Sequence, residues 1–235
     1  MSNTFIIIIY SSMAGLPIII GGIISSLLQK KDYKYKNQVN HFIVAFAGGA
    51  LLSAIAFVLI PHAIKDMQLL SIVIVFLAGT LSFMILDIIC GKIGGSMAQV
   101  LSMMMDFIPE ALSLGASFAI NPNFGLLIAL FIGLQNLPEG FNSYIELRKK
   151  LSKKQTLLLL FALSFVGIIA ALTGEYFLSS QKQIVDAIML FSGGGILYLI
   201  FQDIAPIAKV KNSFLPASGA NLGFLLGMIG EKLLN

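Results

Sequence analysis

Two short stretches of the sequence place acids and an amide inside long apolar runs. Asp106 and Glu110 lie in the first stretch, and Gln135 and Glu139 lie in the second. Residues four positions apart share one face of an α-helix, so each pair would point in one direction if its stretch is helical. Acids buried in apolar surroundings cost free energy unless something offsets them, and we therefore expect these side chains to have a specific role.

A proline, Pro109 or Pro138, directly precedes the glutamate of each stretch. Proline lacks an N–H group, and its ring clashes with the carbonyl four residues earlier. The carbonyl oxygens of Met105 and Leu134 would therefore lose their helical partners. We expect both helices to be interrupted at this level, where carbonyl and carboxylate oxygens gather around a binding site.

Carboxylate and amide oxygens form a mostly hard ligand set. Such ligands suit Mg²⁺, Mn²⁺ and Fe²⁺ and also accept Zn²⁺. The chain has one cysteine, Cys90, which excludes a cluster of thiolate ligands. A bound divalent cation is the simplest partner for the acids, and the alternative is a pair of protonated carboxylic acids that share a hydrogen bond between helices.

The surrounding sequence is typical of an integral membrane protein. Of its 235 residues, 57% are hydrophobic and 11% are charged, far below the roughly 25% charge of a soluble domain. Its apolar runs are long enough to cross a hydrocarbon core of ~30 Å as helices. We predict an all-α integral membrane chain, a single domain over residues 1–235, with eight transmembrane helices. Their ranges are about 5–28, 42–63, 69–90, 96–120, 124–147, 155–178, 184–207 and 214–234.

The basic residues predict how these spans are oriented. Twelve Lys and Arg residues lie in or beside the first, third, fifth and seventh loops, and three lie on the other side. By the positive-inside rule, the odd loops face the cytoplasm and both termini lie outside it. The same placement makes the bilayer, and not nucleic acid, the expected partner of the basic residues. We expect the plasma (inner) membrane, with a homodimer as a candidate assembly.

Spans 2 and 7 resemble each other without gaps. The run Phe46-Ala-Gly-Gly-Ala-Leu-Leu, followed by Pro61, matches Phe191-Ser-Gly-Gly-Gly-Ile-Leu, followed by Pro206. Because the two spans run in opposite directions, the match predicts an inverted repeat of spans 1–3 and 6–8 around spans 4 and 5. Asp203 in span 7 either lines a path or forms a structural hydrogen bond, whereas Asp87, near the end of span 3, is interpreted as solvated.

These motifs resemble those of the ZIP family of divalent metal transporters. Asp-Phe-Ile-Pro-Glu-Ala from Asp106 and Gln-Asn-Leu-Pro-Glu-Gly from Gln135 look like that family's His-Asn-x-Pro-Glu-Gly motifs. The segment Leu-Ile-Pro-His-Ala, which contains His62, is also similar. The resemblance implies eight spans in a three-plus-two-plus-three arrangement, with outward termini.

The resemblance also implies which residues bind metal. The family's second, adjacent site would use the positions of Phe107, Asn136 and Ile168, and is therefore absent or crippled here. Its first site carries over with one change, an aspartate in place of the usual histidine, which weakens the case for zinc in particular. The metal ligands of that first site would be Asp106, Glu110, Gln135 and Glu139.

We therefore predict a transporter, not an enzyme, that moves a divalent metal ion as its substrate toward the cytoplasm by alternating access. The metal would be zinc, manganese or iron. Candidate pathway or secondary residues are His62, Asn136 and Asp203. Two alternatives stay open: a metal-binding sensor or assembly partner that does not transport, and a proton-coupled carrier for another solute that uses the acids as a relay.

Overall fold

The computed structural model describes residues 3–29, 35–93, 96–210 and 213–234, and within these ranges all regular structure is helical. The prediction of an all-α fold is confirmed. Four of the basic residues used for the topology, Lys30, Lys31, Lys34 and Lys211, lie outside the described residues. The helices are α1 (Asn3–Leu28), α2 (Lys36–Ala63), α3 (Leu69–Ile93), α4 (Ser96–Ile120), α5 (Pro122–Leu147), α6 (Lys153–Leu178), α7 (Lys182–Ala208) and α8 (Leu215–Leu234).

Six of these helices are long and apolar enough to cross a membrane, namely α1, α2, α3, α5, α6 and α7. The chain is accordingly an integral membrane protein. Helices α4 and α8 have 25 and 20 residues and are not among these six. Helix α4 carries Asp106 and Glu110 together with several serines, and α8 carries several glycines with Glu231 and Lys232.

Helices α2 and α7 are each widened by one π-helical segment. These segments are Ile55–Leu59 and Ile200–Ile204, and each ends two residues before a proline, Pro61 or Pro206. The carbonyl four residues before each proline falls inside its π segment. A wider turn relieves the clash between that carbonyl and the proline ring, so the π segments have a direct cause in the sequence.

Helices α4 and α5 behave differently, since each continues as an α-helix through its proline, Pro109 or Pro138. The expectation that both would be interrupted there is wrong. A proline inside a helix removes one hydrogen bond, and packing of the flanking turns against neighbouring helices can hold the helix together across that gap. The irregular backbone lies instead in the pair α2 and α7, and in α6, where a turn at Phe165 separates Lys153–Ser164 from Val166–Leu178.

Helix packing follows the same contacts in the two halves of the chain. Helix α2 packs on α8 and α7 packs on α3, while α1 packs on α5 and α6 packs on α4. A Cβ atom added at Gly49 would lie 1.9 Å from the carbonyl oxygen of Ala220, and one added at Gly194 would lie 2.3 Å from that of Phe76. Only glycine permits such close backbone approach. Helices α4 and α5 also contact each other, which places their motifs in the middle of the bundle.

Candidate metal site

A hydrogen bond between the two central helices joins two of the four predicted ligands. The amide Nε2 of Gln135 in α5 donates to Oε2 of Glu110 in α4 at 2.5 Å. Both side chains are buried, with 0% and 2% exposure. The bond therefore fixes the two predicted ligands against each other, away from solvent.

The other two predicted ligands, Asp106 and Glu139, line a cavity of about 260 Å³. Asp106 also accepts a hydrogen bond from the backbone N–H of Phe107, with a distance of 2.8 Å to Oδ1. Because the prolines leave α4 and α5 continuous, the four-residue spacing keeps Asp106 above Glu110 on one face of α4. The cavity thus gives a path to acids that are otherwise enclosed.

Two oxygens of this group have no hydrogen-bond partner within the described ranges. They are Oε1 of Gln135 and Oε2 of Glu139, both buried. A buried polar oxygen without a donor costs roughly 1–3 kcal/mol, and more if it is charged. Both atoms are acceptors when the glutamate is ionised, so a cation is a ligand that would satisfy both.

The carboxyl groups of Asp106, Glu110 and Glu139 are near enough to interact electrostatically. Three negative charges cannot share a low-dielectric interior without a counter-charge or protons. Among the described residues, however, no three His, Cys, Asp or Glu side chains are arranged as ready metal ligands. In this conformation the predicted ligands form a hydrogen-bonded pair and two cavity-lining acids, and not a closed coordination shell.

Phe107 occupies the side of the site that faces α1 and α6. Its side chain is fully buried, and a Cβ added at Gly167 would lie 2.3 Å from its ring carbon Cζ. The ring fills the notch that Gly167 leaves, so this position offers an apolar wall and no ligand. The next residue along α6, Ile168, is also apolar.

The three secondary candidates lie in different places. His62 stacks on Phe124, with 3.9 Å between ring centroids and an interplanar angle of 19°. Asn136 donates from Nδ2 to the carbonyl oxygen of Ala14 at 2.8 Å, so it joins α5 to α1. Of the three, Asp203 alone lines the cavity.

Sequence reasoning missed the role of Asp87, which also lines the cavity. The hydroxyl of Tyr198 donates to Oδ2 of Asp87 at 3.0 Å, across α7 and α3. Asp87 and Asp203 lie toward the same end of two helices that pack together. Their similar depth along the two helices, together with the predicted helix directions, is the sequence signal that could have placed Asp87 and Asp203 in one cavity.

The cavity opens toward one end of the bundle. Its lining residues come from the halves of α2, α3, α4, α5 and α7 that adjoin the first, third, fifth and seventh loops. Beyond the acids, toward the other end, the interior is closed by buried apolar side chains. They include Val58, Leu59, Leu114, Leu127, Ile128 and Met189.

Comparison with known proteins gives one relative and no family model. No protein-family model matches the chain. Over 146 residues it is 34% identical to the zinc transporter GufA of Myxococcus xanthus. The aligned region covers 61% of this chain and 58% of that relative, so the chain spans less than two thirds of the length of the protein it matches.

This similarity agrees with the resemblance carried by the paired Pro-Glu motifs. It is independent of any single motif, because it extends over more than half of the chain. The chain is a distant homologue of the zinc transporter GufA of Myxococcus xanthus.

Proposed function

We propose that this chain transports a divalent metal ion across the membrane through one site formed by Asp106, Glu110, Gln135 and Glu139. The observation that carries the proposal is a group of buried oxygens, two of them without partners, beside a cavity that is open at one end. Intramembrane acids facing a bundle interior mark ion pathways in general. A structural pair of acids would need no cavity leading to it.

The metal is zinc, manganese or iron. Zinc is supported by the similarity to a zinc transporter, and the oxygen-only ligand set also suits Mn²⁺ and Fe²⁺. The metal is substrate, and the site has no catalytic role. Binding displaces protons from any carboxyl group that was protonated, because a carboxylate ligates in its ionised form.

The transport cycle proceeds by alternating access between two related halves, α1–α3 and α6–α8, around α4 and α5. Three matched features support this inverted repeat: the π segments before Pro61 and Pro206, the glycine contacts at Gly49 and Gly194, and the equivalent helix pairings. In this proposal all eight helices, including α4 and α8, cross the membrane as one transport domain.

The cavity end of the bundle faces the cytoplasm, and both termini lie outside it, in a plasma (inner) membrane. The charge bias of the odd loops supports this orientation. The described conformation is then open to the cytoplasm and closed to the outside. Metal would leave the central acids past Asp203 and Asp87, which supply further oxygens along the cavity.

Uptake into proteoliposomes tests the proposal. Purified wild type and Glu139→Gln are reconstituted, and influx of radioactive Zn²⁺ is followed, with Mn²⁺ and Fe²⁺ as competitors. Glu139→Gln keeps the shape of the side chain and removes its charge. We expect the initial rate of uptake to fall at least about tenfold, which corresponds to a loss of about 1.4 kcal/mol or more in metal-binding free energy. The matched control is Glu146→Gln on the same helix, a partly exposed residue paired with Lys149.

Equal uptake by wild type and Glu139→Gln would refute the site. Zinc binding without flux would indicate the sensor or assembly role, and solute uptake that needs a pH gradient but no divalent ion would indicate the proton-coupled carrier. Equal losses in Glu139→Gln and Glu146→Gln would show that the effect comes from surface charge and not from the central acids.

A further inference from the structure

An ion pair joins two distant parts of the chain at the end of the bundle opposite the cavity. Lys182, the first residue of α7, donates from Nζ to Oδ2 of Asp66 in the loop between α2 and α3. The side chains are about half exposed, with 51% and 60% exposure. The pair therefore lies at the surface, where a cation from solution can reach it.

A second carboxylate, Asp186, lies one helical turn along α7 from Lys182. The residue is 2% exposed, and its Oδ1 has no hydrogen-bond partner in the part of the chain that is described. Its electrostatic interactions are with Lys182 and Asp66, so the carboxyl group lies within electrostatic range of the ion pair. A buried oxygen of this kind is costly unless a cation lies near it.

The ammonium of Lys182 thus lies among two carboxyl groups, from Asp66 and Asp186. The hydrogen bond from Lys182 lowers the pKa of Asp66, which keeps this carboxylate ionised at neutral pH. Lys65 and His62 are the other charged or titratable groups that act on Asp66. Neither supplies a further carboxylate, so the carboxylates available to a cation here are those of Asp66 and Asp186.

We propose that Asp66 and Asp186 form a capture site for a hydrated divalent cation, in which the ammonium of Lys182 occupies the cation's place. Hard divalent cations bind through one or two carboxylates and keep several waters, so two acids suffice for weak binding. An arriving cation displaces Lys182 and breaks its link to Asp66, which loosens α7 from the loop between α2 and α3. The destination of the captured ion rests on the proposed function, but the binding itself does not.

Binding of Mn²⁺, followed by electron paramagnetic resonance of the free ion at low salt, tests this site. The central acids are first removed as Asp106→Asn, Glu110→Gln and Glu139→Gln, so that the proposed central site no longer carries a carboxylate. In this background Lys182→Gln should tighten Mn²⁺ binding about tenfold, because a competing unit charge near the surface is lost. Lys182→Arg keeps the charge and should bind as weakly as the parent.

The matched control is Lys65→Gln, which removes the same charge beside Asp66 without emptying the site. It should change binding far less than Lys182→Gln. Adding Asp186→Asn to Lys182→Gln should abolish the gain. Equal effects of the two lysine substitutions, or a gain that survives Asp186→Asn, would overturn the site. The background protein does not need to transport metal, so this binding result can be interpreted even if the proposed central site is wrong.

Discussion

The two ends of the helix bundle differ in how the space between the helices is filled. Toward the first, third, fifth and seventh loops, the helices surround a cavity that includes Asp87 and Asp203. Toward the other loops, they close on buried apolar side chains such as Val58, Leu127 and Ile128. Helices α2, α4, α5 and α7 contribute side chains to both ends.

The difference indicates that side chains decide which end of the bundle is open, because the backbone contacts of α2 with α8 and of α7 with α3 match. Gly49 against Ala220 and Gly194 against Phe76 are equivalent close approaches, one in each half. In the proposed inverted repeat, the two halves can exchange the open and closed ends, because packed interfaces switch between discrete arrangements and do not deform continuously. The acids at the centre would then be reached from each side in turn.

Thiol labelling is the most direct test of the difference between the open and closed ends. In a Cys90→Ser background, Ser102→Cys places a thiol on the cavity wall and Ile128→Cys places one in the closed end. We expect the first to react about 100-fold faster with a charged thiol reagent, since the second needs a local opening that costs about 2.7 kcal/mol. Labelling rates in inside-out membrane vesicles provide the measurement.

Saturating Zn²⁺ gives the control for this experiment. If the bundle alternates, the metal should change the ratio of the two labelling rates in the wild-type site and leave it unchanged with Glu139→Gln. Equal rates at Ser102→Cys and Ile128→Cys without metal would show that the closed end is not closed, and the contrast between the two ends would fail.

The matched frame can be tested at its glycines. Gly49→Ala and Gly194→Ala each force a Cβ into a backbone carbonyl of the neighbouring helix, and overpacking of this kind costs about 1–3 kcal/mol. Gly91→Ala is the control, because a Cβ added there has no heavy atom within 4 Å, and alanine favours a helix over glycine. Thermal unfolding in detergent should show two similar losses of stability and none for the control.

A large loss at only one of the two glycines would indicate that the halves are not equivalent. A loss at Gly91→Ala as large as the others would indicate a general sensitivity of glycine positions. Either result would remove the main packing support for the inverted repeat.

The sequence was sufficient for features that depend on local pattern. The eight apolar segments are all helical, and the equal spacing from Phe46 to Pro61 and from Phe191 to Pro206 corresponds to two helices with matching π segments. A proline's effect on the carbonyl four residues earlier is local chemistry, so its position could be predicted. The effect on the helix could not be predicted, since α4 and α5 continue as α-helices through their prolines.

Features that depend on distant partners escaped prediction. Asp87 is interpreted from the sequence as solvated because it lies near the end of span 3, where it could reach the interface. Its local sequence does not indicate Tyr198, which lies 111 residues later in the chain and donates to it. The bond from Gln135 to Glu110 also needed the packing of two helices to be known. The types of the candidate ligands follow from the motifs, whereas their pairing and their access to a cavity follow from tertiary structure.

The smallest effect concerns His62, which lies at the closed end and stacks on Phe124. An aromatic pair contributes about 0.5–1.5 kcal/mol beyond its area burial, so His62→Ala should lower stability by that amount in thermal unfolding. His62→Phe keeps the stack and should restore stability together with zinc uptake. If His62→Phe instead loses uptake as fully as His62→Ala while its stability is restored, His62 acts through its ring nitrogens, and the closed end holds a metal ligand as well as an apolar seal.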